Sequence, residues 1–471
     1  MTQLRLIAAA AAALWLAGCA SPRPPATVAP NAPPQWYAPL PHNGTLGELS
    51  AWWNQFNDPL LVELIESAQS LSPTVASARS RIEQARATRT AAGAALLPTL
   101  DGVASATRGN AQAGLPVVAT TLQAGAQAAW EIDVFGRSRG AADAAQARLD
   151  GARAGWHEAR VSVAAETANS YVGLRTCEQQ LAVANNDAKS RAETARLTGL
   201  SAQAGFTAPA SAALARASAA EGSARATQQR AQCEVELKAL VALSGIPEPS
   251  LRAKMAAARM EPAQAAMLSV ASLPAQVLAQ RPDVYQAELE VAAASAEVGA
   301  ARADRFPRLS LSGSIAAGQV RTGGVTTDLT TWSIGPLALT VPIFDGGRRA
   351  ANVDAAQARY EEAAALYQAR VRQAVREVEE ALVNIESARS RNEDARVATD
   401  GYRVSFNATE ARYRNGLASL VELEDQRRVL LAAETALVAL QRERVAAWIA
   451  LYRAAGGGWA RQGGESAAAR P

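Results

Sequence analysis

The spacing of apolar and polar residues changes abruptly along this chain. Leu122, Ala124, Ala126, Ala128, Trp130, Ile132 and Val134 alternate with Gln123, Gly125, Gln127, Ala129, Glu131 and Asp133. A period of two predicts a strand with one apolar and one polar face. Its length suits a strand that crosses a bilayer, ~9–11 residues. Leu309, Leu311, Gly313 and Ile315 alternate in the same way with Ser310, Ser312 and Ser314. Thr331–Phe344 is predicted to be the partner strand, with Trp332 near one end and Pro336 and Pro342 disturbing it. Four strands are therefore expected, about 98–110, 120–135, 307–318 and 331–344. The Gly/Thr-rich stretches around 108–119 and 318–330 are expected to be exposed hairpin loops.

Elsewhere the period is helical. Ser138–Leu200 and Gly347–Tyr413 lack proline and hold little glycine. Some 60 residues of helix would extend about 90 Å. Val353, Tyr360, Tyr367, Val371, Val378, Leu382 and Ile385 keep heptad-like steps, as do Leu423, Leu430, Leu437 and Leu451, with Arg444 interrupting. Such spacing drives coiled-coil packing. The many charges keep these helices out of lipid. Residues 52–96 read as two helices broken at Ser72-Pro73. Trp52, Trp53, Phe56, Leu60, Leu61, Leu64 and Ile65 form the apolar cluster of the first.

The pattern occurs twice. Pro98-Thr99-Leu100 is answered by Pro307-Arg308-Leu309, and the strand end at Phe135 by Phe344, at one common offset. Further on, Gly205 answers Gly416 and Gly245 answers Gly456. Each unit reads strand, strand, long helix, turn, long helix. The first repeat is placed at 52–245, turning near 205, and the second at 273–456, turning near 416. Residues 246–272 join them as a linker carrying Pro247, Pro249 and Pro262. Residues 457–471 form a Gly/Ala-rich tail, expected to be disordered beyond Trp459.

Composition narrows the chemistry. The net charge of +3 over 471 residues offers no basic field for nucleic acid. His42 and His157 are the only histidines and lie in unrelated segments. No Ser/His/Asp or Cys/His group is credible, so neither an enzyme nor a metal or cofactor site is expected. Asp345-Gly346-Gly347-Arg348 lacks the lysine of a phosphate loop and reads as a strand-to-helix bend. Arg5 followed by apolar Leu6–Leu16 reads as a secretory signal, too short to span a membrane. Leu16-Ala17-Gly18-Cys19 resembles the bacterial lipobox, which implies removal of residues 1–18 and lipid on Cys19. Ala20 favours outer-membrane sorting over inner-membrane retention. Residues 19–51 would be a lipidated tether, its Pro/Ala-rich part Ser21–Pro41 extended between lipid and body. Cys177 and Cys233 either pair or stay as buried thiols. Gly205 lies midway between them, so a helix reversal there puts both at one height and favours a disulfide.

Strands in lipid must close into a barrel. Four cannot, because membrane barrels start at about eight, so the chain must associate with copies of itself. The sequence resembles the outer-membrane factor (TolC-like) family, and within it the OprM/NodT-type lipoproteins. The resemblance rests on Leu16–Cys19, Arg281-Pro282-Asp283-Val284, Val341-Pro342-Ile343-Phe344-Asp345-Gly346-Gly347-Arg348, and Tyr413-Arg414-Asn415-Gly416 leading to Asp425-Gln426. It implies an α+β membrane protein with an internal duplication. The homotrimer would form a 12-stranded outer-membrane β-barrel continued by a long periplasmic α-helical barrel. It further implies a passive exit duct for small molecules such as drugs, joined to a periplasmic adaptor and an inner-membrane pump of the proton-driven RND type. The adaptor-contact turns would be Ala204, Gly205 and Phe206 with Asn415, Gly416 and Leu417. The periplasmic aperture would be Val421, Asp425 and Arg428. The alternatives are a duct for type I protein secretion and a lipid-anchored coiled-coil scaffold or adaptor that never spans the membrane. Glu422, Glu424, Asp425, Arg427 and Arg428 can also be read as a solvated helix face.

Overall fold

The structure, a computed structural model, describes residues 22–30, 32–33, 36–38, 49–112, 115–258, 278 and 281–459. The signal peptide, Cys19, most of the linker between the repeats and the tail beyond Trp459 lie outside the described residues. A short 3-10 helix, Leu49–Phe56, is followed by α1 (Pro59–Leu71), α2 (Pro73–Ala94), β1 (Thr99–Gln112) and β2 (Leu115–Ile132). Then come α3 (Arg137–Gln203), α4 (Pro209–Ser244), α5 (Glu248–Ala257) and α6 (Pro282–Ala303). β3 (Arg308–Thr322), β4 (Val325–Thr340), α7 (Arg348–Arg414) and α8 (Leu420–Ala454) complete the chain. α3 and α7 each hold 67 residues, about 100 Å of helix at 1.5 Å per residue. None of the described helices is long and apolar enough to cross a membrane.

The chain divides into two compact units. The first contains residues 1–29, 79–154 and 285–369, and carries one antiparallel sheet in the order β1-β2-β3-β4. The strands run further than their apolar alternation suggests. β3 and β4 reach into the expected 318–330 loop and turn through Gly323 and Gly324 alone, both at positive φ. Such a two-residue turn suits the twist of a hairpin, and only glycine takes both positions without strain. Likewise β1 continues to Gln112 and β2 begins at Leu115, where a longer loop was expected. At the other end β2 stops at Ile132 and β4 at Thr340, short of the expected 135 and 344. Opposite Gly335 and Pro336 the β3–β4 register shifts between Leu311 and Gly313. Two residues face one there, a bulge that absorbs a proline unable to donate to the ladder.

Helices in this unit approach closely because their contacts are small. Ala144 on α3 packs with Ala293 and Ala296 on α6. A Cβ on Gly140 would come within 3.0 Å of the Ala296 carbonyl. Arg148 on α3 pairs with Glu290 at 3.0 Å and Glu297 at 2.6 Å on α6. Residues 22–25, within the expected tether, are tied to this unit. Ser295 Oγ donates to the Pro24 carbonyl at 2.6 Å, Tyr360 to that of Pro25 at 3.0 Å, and Arg302 to that of Pro22. Arg23 pairs with Asp143 at 3.0 Å and lies against Gly299, where a Cβ would meet its side chain at 2.7 Å. Absence of a side chain at 299 is what lets the strap lie flat.

The second unit contains residues 30–78, 155–284 and 370–471. Its core joins Trp52, Phe56, Leu61 and Leu64 to Tyr171, Leu240, Leu251, Leu382, Ile449 and Leu451. Trp52 stacks on Tyr452 with ring centroids 4.8 Å apart. Residues 49–71 are two elements, not one helix: Asn57 takes positive φ, and Asp58 caps α1 by accepting from the Leu60 amide. Asp58 also accepts from Tyr171 at 2.5 Å, fixing α1 to α3. Glu379 accepts from the amides of Tyr37 and Ala38 at 2.7 and 2.8 Å. The chain before α1 is thereby held to α7 as well.

Candidate functional site

In the first unit the sheet sorts its side chains by chemistry. Register places Leu100, Ala128 and Ile334 in rows on one face with Ala126, Ile315 and Trp332, then Trp130, Leu311 and Leu337, then Ile132, Leu309 and Leu339. On the other face stand Asp101, Gln127, Ser314 and Ser333, then Ser105 and Gln123, then Glu131 and Ser310. Ser314 and Ser333 bridge across that face at 3.0 Å. The apolar face is bare in a single chain: Trp332 is 73% and Ile334 84% exposed. Where β4 leads into α7, Asp345 accepts from the amides of Gly347 at 3.1 Å and Arg349 at 3.2 Å. Its own carboxylate occupies the donors that a phosphate loop would offer to a ligand. Asp133 serves α3 similarly, accepting from the Arg139 amide at 2.8 Å.

In the second unit both helix reversals share one construction. Gly205 and Gly416 take positive φ. The Phe206 amide donates to the Ser201 carbonyl at 2.9 Å, and the Leu417 amide to that of Arg412 at 2.8 Å. Each is a Schellman ending, which needs a left-handed residue that glycine supplies freely. Ala204 and Asn415 are the preceding residues, and the Asn415 side chain donates to the Ala411 carbonyl at 2.8 Å. The turns push apolar side chains into solvent: Phe206 is 87% and Leu417 69% exposed. Pro209 starts α4, and Ser419 caps α8 by accepting from the Glu422 amide.

Val421, Asp425 and Arg428 are exposed on α8. Arg428 pairs with Asp425 on its own helix at 3.0 Å. Glu424 and Arg427 do not share that solvated face. Arg427 is only 3% exposed, and donates to Ser190 Oγ at 3.1 Å and Thr194 Oγ1 at 3.0 Å on α3, besides pairing with Glu424. Glu424 in turn accepts from Arg191 of α3 at 2.7 Å and from Ser218 of α4 at 2.7 Å. Asp187 completes the cluster, 2.9 Å from Arg191. Burial pulls the Arg427 guanidinium below its ordinary value, while Glu424 pulls it up. Gly222 on α4 leaves room for the Arg191 stem, since a Cβ there would lie 2.8 Å from its Cδ. Near the turns, Thr198 and Tyr413 share a hydroxyl hydrogen bond of 2.7 Å. Sequence reasoning missed this cluster, although Arg427 follows Leu420 by one heptad and so occupies an inward position. Cys177 and Cys233 are joined by a disulfide between α3 and α4. Among the described residues, no group of three or more His, Cys, Asp or Glu side chains could hold a metal ion.

Residues 64–245 and 273–457 match the profile of the outer membrane efflux protein family. The chain belongs to that family. Nodulation protein T of Rhizobium leguminosarum bv. trifolii is 31% identical over 452 residues, covering 93% of each chain. The pyoverdine export outer membrane protein OpmQ of Pseudomonas putida is 30% identical, covering 95% of this chain and 96% of its own. In fold, the Campylobacter jejuni CmeC outer membrane channel superposes with a TM-score of 0.81 at 24% identity, over 94% of this chain and 96% of that one. The chain is an outer-membrane efflux channel protein.

Proposed function

We propose that three copies of this chain form the exit duct of a tripartite efflux system. Each supplies four strands to one twelve-stranded cylinder and two helical hairpins to a periplasmic tunnel. The observation that carries the reading is a sheet apolar on one face, polar on the other and open at both edge strands. Unpaired backbone at β1 and β4 is untenable in lipid, and a second copy's edge satisfies it. Val341, Ile343 and Phe344, all exposed beyond β4, would gain cover in the same step. The polar face then lines a water-filled lumen that suits small molecules moved by a pump. The mature chain is anchored by lipid, including palmitate, on Cys19. The duct does no chemistry of its own and takes no cofactor.

The turns at Ala204–Phe206 and Asn415–Leu417 meet the tip of a periplasmic adaptor through Phe206 and Leu417, and the adaptor links the duct to an RND-type pump. Val421, Asp425 and Arg428 line the periplasmic aperture. Mature protein purified in detergent should have three times the chain mass by native mass spectrometry and should conduct ions in planar bilayers. A water-soluble single chain that passes no current would overturn the duct and leave the lipid-anchored scaffold. Photo-crosslinkers at positions 206 and 417 should capture the adaptor in cells, and Asp425→Ala should raise the conductance. If deletion abolishes protein secretion but leaves drug sensitivity unchanged, the small-molecule reading is replaced by type I secretion.

A further inference from the structure

Arg108 and Arg321 lie in one row of the sheet. Arg108 on β1 faces Thr120 on β2, which faces Arg321 on β3, and Thr326 on β4 ends the row. The row shares its face with Leu100, Ile315, Trp332 and Ile334 because each is an even number of residues away along its own strand. Two strand spacings separate the two arginine backbones, about 10 Å. Both side chains are exposed. Neither forms an ion pair among the described residues. The one acid on this face of the strands is Asp328, two residues nearer the apolar rows, and Gln319 Nε2 donates to it at 3.0 Å.

The height of the row decides its surroundings. From Ile132, at the foot of the apolar face, to Thr120 is twelve residues of β2. At ~3.3 Å per residue that is about 40 Å along the strand. With a tilt of ~40° it is about 30 Å along the membrane normal, while the apolar band of such barrels is ~25 Å tall. The arginines thus stand just above the lipid hydrocarbon, on the lipid-facing side, at the hairpin-tip end of the sheet. This placement rests on the duct reading, in which the tips face the cell exterior.

We infer that Arg108 and Arg321, with Thr120 and Thr326 between and beside them, bind the phosphate groups of a glycolipid in the outer leaflet. A planar guanidinium matches phosphate oxygens with two parallel donors, and a threonine hydroxyl adds a third. Two cations about 10 Å apart favour a headgroup with two separated phosphates over a phospholipid with one. Beneath the row of Ala106, Leu122, Gln319 and Asp328 the face turns apolar through Ala104, Ala124 and Ala317 to Ile315 and Trp332, and this part would take its acyl chains, so one ligand satisfies both the charge and the surface. In a closed trimer the row recurs three times and makes a ring of six arginines.

The test uses the full lipidated protein in nanodiscs, with native mass spectrometry to count bound lipid. The probes are bis-phosphorylated lipid A, the same lipid A with its phosphates removed, and phosphatidylglycerol. The wild type should retain bis-phosphorylated lipid A through gentle activation. Arg108→Gln/Arg321→Gln should hold it on the order of thirtyfold more weakly, and Arg108→Lys/Arg321→Lys should recover part of the loss. Equal retention by wild type and the Gln variant, or equal retention of all three lipids, would overturn the inference. Planar-bilayer conductance and oligomer mass are measured on the same samples. If these are intact while retention is equal, only the glycolipid site fails. If no oligomer or current appears for the wild type, the duct reading fails and takes this site with it. Single Arg321→Gln, on a strand paired on both sides, supplies the retention measurement if the double variant does not assemble.

Discussion

Individual charged side chains in the second unit are set by burial more than by sequence neighbours. Burial pushes the Glu158 carboxyl above its ordinary value, and Asp283 adds to the push, while Ser162, Arg281 and Arg453 oppose it. A carboxyl that holds its proton more tightly when folded adds stability at low pH, and that contribution is lost as pH rises through its elevated value. The midpoint temperature of thermal unfolding should therefore fall as pH is raised just above the usual carboxylate range. Glu158→Gln should flatten that slope, which cannot exceed about 1.4 kcal/mol per pH unit for one group. Identical pH profiles for the two proteins would show that Glu158 does not titrate there. Arg281 is the opposite case. It is buried, pairs with Asp283 at 2.8 Å and Glu377 at 2.8 Å, and donates to the Ala454 carbonyl at 3.1 Å. This explains the Arg281-Pro282-Asp283 motif: Pro282 starts α6 while its flanking charges lock each other and the end of α8. Arg281→Ala takes the Arg281 ion pair from Glu377 and leaves Asp283 with Arg370 at 4.0 Å, and should cost about 3 kcal/mol in denaturant unfolding, whereas Arg376→Ala, an exposed pairing with Glu380, should stay near zero.

Among elements, α8 is fixed to the α3–α4 hairpin by polar contacts as well as by apolar ones. Arg191 and Glu424 share Ser218 and belong to one network, so their effects should not add. A double-mutant cycle of Arg191→Ala and Glu424→Ala should give a coupling of about 1–3 kcal/mol, and additivity would mean that the contact is not populated. The disulfide staples α3 to α4. Cys177→Ser should lower stability by about 4 kcal/mol, from the 56-residue separation it closes, and thiol blocking should differ between reduced and unreduced protein. Elements of this kind were legible wherever one face meets a single environment. The period of two revealed β2 and β3, and the heptads at Tyr367, Val371, Val378, Leu382 and Ile385 mark residues that are in fact buried. Strand ends near 320–330 were hidden because Thr326, Thr327, Asp328 and Thr330 are polar on both faces, which erases the alternation. Arg427 was hidden because a charge at a heptad position looks like a break in the pattern. The partners that accommodate it lie more than 200 residues away in sequence.

For the assembled molecule, the ion path turns on what three-fold symmetry does to α8. Each chain brings one Asp425 and one Arg428 to the proposed aperture, exposed and paired on the same helix. A ring of three carboxylates attracts cations and raises their local concentration, and a ring of three guanidinia beside it cancels much of that field. Removing one member of the pair uncovers the other. Arg428→Ala should thus raise the cation-to-anion permeability ratio, and Asp425→Ala should lower it, read from reversal potentials in a salt gradient across a planar bilayer. Both shifts should shrink as ionic strength rises, because the screening length drops from about 10 Å at 0.1 M to about 3 Å at 1 M. Opposite signs from the two variants identify a pair facing the conducting path. Unchanged reversal potentials would put α8's charged face outside it, and the aperture would then have to be sought at Val421 or at the turns themselves.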